Sequence, residues 1–441
     1  MLFGPLFDTG WYPTVLYRGS EATSLAASVP ASDNAEQKGE TMTCPAQLVR
    51  SEGGRIGLFV LDGLGGLPHA DRPTTELEAA NTPHLDELAQ KSSLGRIQLL
   101  PPGITPGSGP GHLSLFGHDP MQLEFGRGLL EALGSGYPLA AGEIAARGNF
   151  CSVDGDAKVT DRRAGRPTDA ECQRLCALLS EQVTVDGAQV QLLPGKEHRF
   201  TWVLTGEGLG AAVNDNDPQV IGREPLPLAG GDDSSSRTAA LATAWLEKAS
   251  QVLAGEENAN GVLLRGFSTR PEVASFKDLY RLRSASIAIY PMYRGVAQLV
   301  GMEPLDAGQN LTDQAAALSA AVKDGFDFIF VHHKDTDTAG HSGDFAAKVA
   351  AIEAFDQVLP SFLAAGLDVI AITGDHSTPT SMEEHSWHPV PLLVHSKKVL
   401  PAQSATFGER SCMQGDIGTI DGVELMPLLL AHADRLDKYG A

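Results

Sequence analysis

The sequence predicts an α/β fold with a second α/β domain inserted into it. Three continuous apolar runs have the composition of buried parallel strands, and each one finishes in acidic residues or histidine: RIGLFVLDG, FDFIFVHHKDTD and LDVIAITGDH. A helical pattern, GDFAAKVAAIEAFDQVLPSFLAAG, separates the second run from the third. In open α/β sheets, ligands bind beyond the carboxyl ends of the strands, so we expect the functional site at that edge.

The middle of the chain has a different pattern of shorter strand candidates, helical stretches and many turn signals. The strand candidates are NFCSVD, QVQLL, RFTWVL and GVLLR. At the start of the chain, the polar run SVPASDNAEQKGET lacks periodicity and predicts disorder, with Met42 as an alternative first residue. The predicted segments are a disordered extension (1–50), a core domain (51–135 and 290–441) and an inserted substrate-binding cap domain (136–289).

Composition and charge exclude several classes of function. The 441 residues include 33 basic and 55 acidic side chains, for a formal charge of −22, which argues against a nucleic-acid or anionic-membrane partner. The absence of a bilayer-length apolar run and of a basic leader predicts a cytoplasmic protein. The five cysteines are odd in number and scattered, which indicates a reducing compartment, and Cys172 and Cys176 fit one buried face of a helix.

Carboxylates and imidazoles follow the predicted strands in a pattern typical of metal ligands. Taken singly, an aspartate after a strand often caps a helix, and a histidine is often packed or solvated. Grouped at three strand ends, the same residues indicate a metal site. The candidates are Asp62, Asp337, His341, Asp375, His376 and His385. Four neighbours are taken as structural: His332, His333, Asp335 and His388.

The candidate nucleophile is Ser108, in the loop PPGITPGSGPGHLSLFG. Glycines and prolines constrain this loop, and a predicted helix follows it, so backbone amides there can hold a phosphate. A serine hydroxyl is a poor nucleophile unless a base or a metal activates it. A Gly-Ser-Gly turn alone is a weak signal, and a merely flexible loop is the alternative.

Arginines of the insertion are the candidates for binding an anion. Arg162, Arg163 and Arg166 lie in TDRRAGR, and Arg147 and Arg265 lie near predicted strand ends. Arginine binds phosphate and carboxylate with a planar fork of donors, although a solvated basic face is the alternative. Three aspartates either orient these arginines, contact substrate hydroxyls or form turns: Asp154, Asp215 and Asp217.

Several segments together resemble the archaeal-type 2,3-bisphosphoglycerate-independent phosphoglycerate mutases of the alkaline phosphatase superfamily, over nearly all of residues 55–435. The matching segments are VLDGLGGLP, ELEAANTPHLDELA, PGITPGSGPGHLSLFGHDP, ARGNFCSVDGDAKVTDRRAGR, VLTGEGLGAAVNDNDP, KDTDTAGHSGDF and TGDHSTPTSMEEHSWHPVP. The resemblance implies an alkaline-phosphatase-like, doubly wound core sheet with an inserted cap. It also implies two divalent ions, manganese in preference to zinc or magnesium, and no 2,3-bisphosphoglycerate.

The resemblance assigns roles to residues. One ion would be held by Asp62, Ser108, Asp375 and His376, and the other by Asp337, His341 and His385, while Ser108 would be transiently phosphorylated. Residues expected to bind substrate are His112, Arg147, Asp154, Arg162, Arg163, Arg166, Arg265 and Arg294. Arg294 departs from the family, which tends to have lysine in the segment IAIYPMYRGVAQLVGM.

The expected function is the interconversion of 3-phosphoglycerate and 2-phosphoglycerate, a step of glycolysis and gluconeogenesis, through a phosphoserine intermediate. A metal-dependent phosphatase is an alternative, as is a phosphotransferase acting on another small hydroxy acid such as homoserine. A phosphometabolite-binding protein without turnover is disfavoured because all seven expected ligands are present. The oligomeric state stays open.

Overall fold

The computed structural model describes residues 46–123, 126–401 and 406–440, which fall in one compact unit. Most of the predicted N-terminal extension, residues 1–45, lies outside the described residues. Its last residues are described: Ala46–Leu48 form a 3-10 helix, and Val49 is buried and pairs with Leu436. Residues 46–50 are therefore packed against the C-terminal part of the chain.

Helices and strands alternate along the described chain. The strands are β1 (Ile56–Leu61), β2 (Ser93–Gln98), β3 (Glu143–Val153), β4 (Val159–Asp161), β5 (Gln189–Pro194), β6 (Arg199–Thr205), β7 (Gly261–Ser268), β8 (Ser284–Ala288), β9 (Glu303–Pro304), β10 (Phe328–His333), β11 (Val369–Thr373), β12 (Val390–Ser396) and β13 (Gly418–Asp421). The helices are α1 (Glu76–Ala79), α2 (Pro83–Ala89), α3 (Ser108–Leu115), α4 (Arg127–Gly134), α5 (Asp169–Gln182), α6 (Asp233–Leu253), α7 (Phe276–Tyr280), α8 (Pro291–Leu299), α9 (Leu311–Lys323), α10 (Asp335–His341), α11 (Phe345–Leu363), α12 (Glu409–Met413) and α13 (Leu425–His432).

The larger sheet has eight strands in the order β13-β2-β12-β11-β1-β10-β8-β9. The three apolar runs predicted as parallel strands are β1, β10 and β11, and they lie side by side in parallel at its centre. Strand β8 also pairs with β10 in this sheet, so residues 284–288, which the sequence analysis assigned to the insertion, belong to the larger sheet.

Helices cover both faces of the larger sheet, which confirms the predicted doubly wound α/β fold. Successive strand residues point to opposite faces. Leu58 therefore packs in a core with α3, α4, α8 and α13, whereas Phe59 packs in a second core with α2, α9 and α11. Central strands buried on both faces are necessarily apolar throughout. None of the described helices has the length and apolarity needed to cross a membrane.

The insertion forms a smaller antiparallel sheet of five strands within residues 143–268. One face, which includes Phe150 and Trp202, packs against α5 and α6, and Cys172 and Cys176 are both buried there, as predicted. The alternate positions of the same strands point to the opposite face. That face packs on α4 through Ala145 and carries the arginines described below.

Candidate active site

Three neighbouring strands deliver the predicted ligand residues to one edge of the larger sheet. Asp62 directly follows β1, and Asp375 and His376 follow β11. Asp337 and His341 follow β10, but on the short helix α10 rather than in the predicted turn. A spacing of four residues puts both side chains on one helix face, so the helix brings them together as well as a turn would.

The ligand-type residues form two groups, and within each group the ligand atoms lie within 4.8 Å of one another. The buried ligand group consists of Asp62, Asp375 and His376, whose side chains have 0% exposure. The open ligand group consists of Asp337, His341 and His385, with side-chain exposures of 4%, 45% and 21%. The sequence analysis had assigned the residues to the same two sets.

Ser108 lies beside the buried ligand group. It is the first residue of α3, and its Oγ is 3.2 Å from His376 Nε2. Helix α3 approaches this group closely because Gly111 lacks a side chain: a Cβ there would lie 2.0 Å from the Asp375 carbonyl oxygen. Gly111, one of the glycines that marked the loop in the sequence, therefore has a packing role that brings Ser108 to the sheet edge.

The buried ligand group has the electrostatics of a cation site. Among the described residues, Asp62 Oδ1 and Asp375 Oδ2 have no hydrogen-bond partner, although both are buried and lie 3.1 and 3.3 Å from His376 Nε2. Burial and the charge of Asp62 raise the pKa of Asp375 well above its usual value. Leaving buried carboxylate oxygens unpaired costs free energy. A divalent cation among these atoms would satisfy them, so the residues fit a metal ion.

The three histidines of the two groups are oriented in the same way. His341 Nδ1 lies 3.0 Å from the Glu383 carbonyl, and His385 Nδ1 lies 2.9 Å from the Pro106 carbonyl. His376 Nδ1 lies 2.9 Å from the Thr378 hydroxyl. In each ring Nε2 faces the carboxylates, which is the arrangement that metal-binding histidines adopt when an outer partner fixes the other nitrogen.

Lys334 joins the two groups and was missed by the sequence analysis. Its Nζ lies 3.0 Å from Asp62 Oδ2 and 2.6 Å from Asp337 Oδ2. Burial alone would lower the pKa of Lys334, but the charges of these two aspartates outweigh it and raise the pKa. Its place in the segment KDTD, directly after β10, is the signal that could have identified it.

The residues taken as structural lie in different places. His332 Nε2 is 3.2 Å from Asp62 Oδ2, and its ring stacks on Tyr293, so it contacts a ligand residue and corrects that expectation. His333 is buried on the other face of the sheet against Phe355. His388 stacks on its neighbour Trp387, and Asp335 is exposed.

Two cavities open beside these residues. The Ser108 cavity, of about 740 Å³, is lined from the core by Ser108, Lys334, Asp337, His341 and His385, and from the insertion by Pro194, Gly195, Lys196 and Arg199. The arginine cavity, of about 730 Å³, is lined by Arg127, Arg147, Asn149, Arg162, Arg163, Arg166, Asp169, Lys196, Glu197, His198, Arg199 and Arg265. Lys196 and Arg199 line both cavities and so connect them.

One buried acid, Asp217, holds two arginines of the arginine cavity in place. Arg147 and Arg265 are cross-strand neighbours on β3 and β7. Arg162 donates two hydrogen bonds to Asp217, at 2.9 and 2.6 Å, and Arg265 Nη1 lies 3.3 Å from the same carboxylate. Burial would raise the pKa of Asp217, but the hydrogen bonds from Arg162 and the Gln219 amide, together with the charges of Arg162 and Arg265, lower the pKa. Asp217 therefore orients two arginines, one of the roles the sequence left open.

Three residues expected to bind substrate lie elsewhere. His112 has no exposed surface, because it is packed beneath Ser108 and lies 2.7 Å from the Ser108 carbonyl through Nδ1. Asp154 accepts the backbone amides of its own turn, from Asp156 and Lys158. Arg294 lies on α8, outside the lining of either cavity. Full burial of His112 corrects the expectation that it contacts substrate directly, while Asp154 and Arg294 lie outside the two cavities.

Comparison with known proteins defines the family. The model of the metalloenzyme superfamily matches residues 54–432. A relative from Thermus thermophilus, named "probable 2,3-bisphosphoglycerate-independent phosphoglycerate mutase", is 47% identical over 399 residues, which cover 90% of this chain and 98% of the relative. A relative of the same name from Aquifex aeolicus is 46% identical over 405 residues, covering 90% and 99%.

Solved structures agree with this comparison. A Pyrococcus horikoshii protein is 30% identical with a TM-score of 0.73, covering 88% of this chain and 100% of that one. The cofactor-independent phosphoglycerate mutase of Thermoplasma acidophilum is 28% identical with a TM-score of 0.69, covering 86% and 99%.

The chain belongs to the metalloenzyme superfamily and, within it, to the family of the 2,3-bisphosphoglycerate-independent phosphoglycerate mutases. Family membership and the two ligand groups support binding of divalent metal ions and action on a small molecule.

Proposed function

We propose that this protein is a 2,3-bisphosphoglycerate-independent phosphoglycerate mutase that interconverts 3-phosphoglycerate and 2-phosphoglycerate in the cytoplasm. The observation that carries the proposal is the position of Ser108, a half-buried hydroxyl between two ligand groups and a cavity that continues into an arginine-rich one. Phosphoglycerate is proposed as the substrate because the relatives are named phosphoglycerate mutases.

The two ligand groups would hold two divalent ions, for which manganese is the first candidate. The buried ligand group and Ser108 Oγ would hold one ion, and the open ligand group the other. Bound ions would supply positive charge that lowers the pKa of the serine hydroxyl and offsets the charge of the phosphoryl oxygens. Lys334, between the groups, adds a further positive charge close to Ser108 in the same cavity.

The arginine cavity would hold the carboxylate end of the substrate. Seven arginines and one lysine line it, in a chain whose formal charge is −22, so local charge and not the net charge attracts the anion. Asp217 keeps two of these guanidiniums oriented before substrate arrives. Arg199 and Lys196 line both cavities, so they are placed to contact glycerate while its phosphoryl group is on Ser108.

The transfer has two symmetrical halves. Ser108 Oγ attacks phosphorus and loses its proton as the bond to the substrate oxygen breaks, and the released glycerate oxygen takes up a proton. Glycerate then turns, its other hydroxyl attacks the phosphoserine and loses a proton, and Ser108 regains one. Atoms and protons balance without any bisphosphoglycerate, provided that water is kept from the phosphoserine.

The insertion is placed to exclude that water. Its β5–β6 turn, which includes Lys196, lines the Ser108 cavity opposite the ligand groups. We propose that residues 136–283 act as a cap that closes over bound substrate, which retains glycerate between the two half-reactions.

The test is an assay of the purified protein with manganese and 3-phosphoglycerate, in which 2-phosphoglycerate and free phosphate are followed together. Ser108→Ala should abolish formation of 2-phosphoglycerate, whereas Ser135→Ala, which alters another serine lining the same cavity, should retain it. Release of free phosphate without formation of 2-phosphoglycerate would indicate a phosphatase and not a mutase. No turnover of 3-phosphoglycerate would contradict the proposed substrate.

A further inference from the structure

Thr378 is a buried residue that contacts both ligand groups and that none of the catalytic steps above uses. Its side chain has no exposed surface, and it follows His376 by two residues in the segment GDHST. Its hydroxyl lies 2.8 Å from Asp337 Oδ1, in the open ligand group, and 2.9 Å from His376 Nδ1, in the buried ligand group. One hydroxyl thus bridges the two groups directly.

The chemistry of the partners fixes the direction of both hydrogen bonds. A carboxylate can only accept, so the single hydroxyl proton of Thr378 is donated to Asp337. The same oxygen must then accept from His376 Nδ1, which therefore carries a proton. The remaining nitrogen, Nε2, faces Asp62 Oδ1, Asp375 Oδ2 and Ser108 Oγ, where an ion would sit.

The surrounding backbone keeps space for this hydroxyl. A Cβ at Gly63 would lie 2.4 Å from Thr378 Oγ1, and a Cβ at Gly340 would lie 2.8 Å from its Cγ2. The buried Lys348 donates to the Thr378 carbonyl at 2.8 Å and to the Gly65 carbonyl at 3.0 Å. Thr378 is therefore held from the backbone side, and its hydroxyl has little freedom to choose other partners.

The other two ligand histidines differ in one respect. His341 and His385 direct Nδ1 at backbone carbonyls, whereas His376 directs Nδ1 at a side chain. Only the His376 contact can therefore be removed by substituting the partner. We infer that Thr378 is a positioning residue that orients His376 and Asp337 together and so couples the two metal sites. This inference rests on the proposed two-metal function.

The test compares Thr378→Val, which keeps the shape and removes the hydroxyl, with Thr378→Ser, which keeps the hydroxyl. Manganese binding is measured by calorimetry on the metal-free full chain. Thr378→Val should weaken binding at both sites by about 10- to 100-fold, the range for outer partners of metal ligands, and Thr378→Ser should bind within about threefold of the unaltered protein. Loss at one site only, or unchanged binding by Thr378→Val, would overturn the coupling.

A measurement on the unaltered protein covers the case in which Thr378→Val does not fold. Imidazole nitrogen NMR of the magnesium-loaded protein, labelled at histidine, should show His376 with a proton on Nδ1 and the metal-facing nitrogen without one. A proton on Nε2 with a bare Nδ1 would overturn the assignment. Neither measurement uses catalysis, so a failure of the proposed mutase activity and a failure of this inference are distinguishable.

Discussion

The two cavities meet at Lys196 and Arg199, yet they are built in different ways. The Ser108 cavity takes its ligand residues Asp337, His341 and His385 from segments that follow the central strands β10 and β11. Ser108 itself contacts the buried ligand group, whose side chains have no exposure.

The arginine cavity takes its side chains from the face of a small sheet and from loops. Arg162 and Arg265 are anchored by Asp217, whereas Arg166 is 58% exposed. A fixed, buried centre suits a phosphoryl group that must be held still, and a cavity that combines anchored and exposed arginines suits a glycerate that must turn.

Substitution in the fixed centre should have the largest effect. Asp375→Asn alters a buried carboxylate whose Oδ2 lacks a hydrogen-bond partner among the described residues. We expect one manganese site to be lost and kcat to fall on the order of 10³-fold or more. Equilibrium dialysis and steady-state kinetics measure the two effects. Asp335→Asn, at an exposed carboxylate on α10, should change neither. Full manganese binding by Asp375→Asn would show that the buried ligand group does not hold a metal ion.

A substitution that displaces Ser108 but keeps its hydroxyl should have the next largest effect. Gly111→Ala places a Cβ 2.0 Å from the Asp375 carbonyl, which pushes α3 and Ser108 away from the ligand groups. Because small misplacements of reacting atoms are costly, we expect kcat to fall about 10²-fold. The control is Gly134→Ala on α4, where the nearest atom is 4.0 Å away. Equal kinetics for the two variants would show that the approach of α3 is not needed.

Substitution in the arginine cavity should affect kcat/KM and not manganese binding. Arg199→Met removes a guanidinium that lines both cavities and whose Nε has no hydrogen-bond partner in the part of the chain that the structure describes. We expect kcat/KM to fall about 10- to 100-fold while manganese binding stays unchanged. Arg174→Met, on the outer face of α5 and paired with Glu171, is the matched arginine control. A loss of manganese binding in Arg199→Met would mean that the two cavities are not separable.

The smallest effect concerns stability in the larger domain. Burial lowers the pKa of His118 from 6.5 to about 4. The unfolded chain therefore binds a proton near the ordinary pKa and the folded chain does not, so this stability is present above about pH 6.5 and is lost as the pH falls towards 4. Between about pH 7 and pH 5 the free energy of unfolding of the unaltered protein should decline, and in His118→Gln this decline should be smaller by about 2 kcal/mol. Urea titration at the two pH values measures the difference. An equal decline in the two proteins would contradict this role of His118.

The sequence predicted the three central strands of the larger sheet and named the candidate ligand residues because both depend on local patterns, whereas the division of the ligands into two groups came from the family resemblance. Strands buried on both faces are apolar throughout, and the ligands directly follow them, as Asp62 follows β1. The helix that carries Asp337 and His341 was not predicted, since seven residues give too little periodicity to recognise.

Contacts between distant segments escaped the sequence analysis. Arg199 and Lys196 gain their importance only because the β5–β6 turn reaches the Ser108 cavity. His112 was a candidate for binding substrate, but the helix that starts at Ser108 turns it inward. Thr378 has no signature at all, because its role depends on two partners, one of them 41 residues away.

The most direct test of the central claim is to trap the phosphorylated enzyme. The protein is mixed with manganese and 3-phosphoglycerate, quenched with acid during turnover and analysed by peptide mass spectrometry. We expect one phosphoryl group on Ser108 during turnover, and we expect it to decline as the reaction approaches equilibrium. Formation of 2-phosphoglycerate at full rate with no phosphorylation of Ser108 would contradict it.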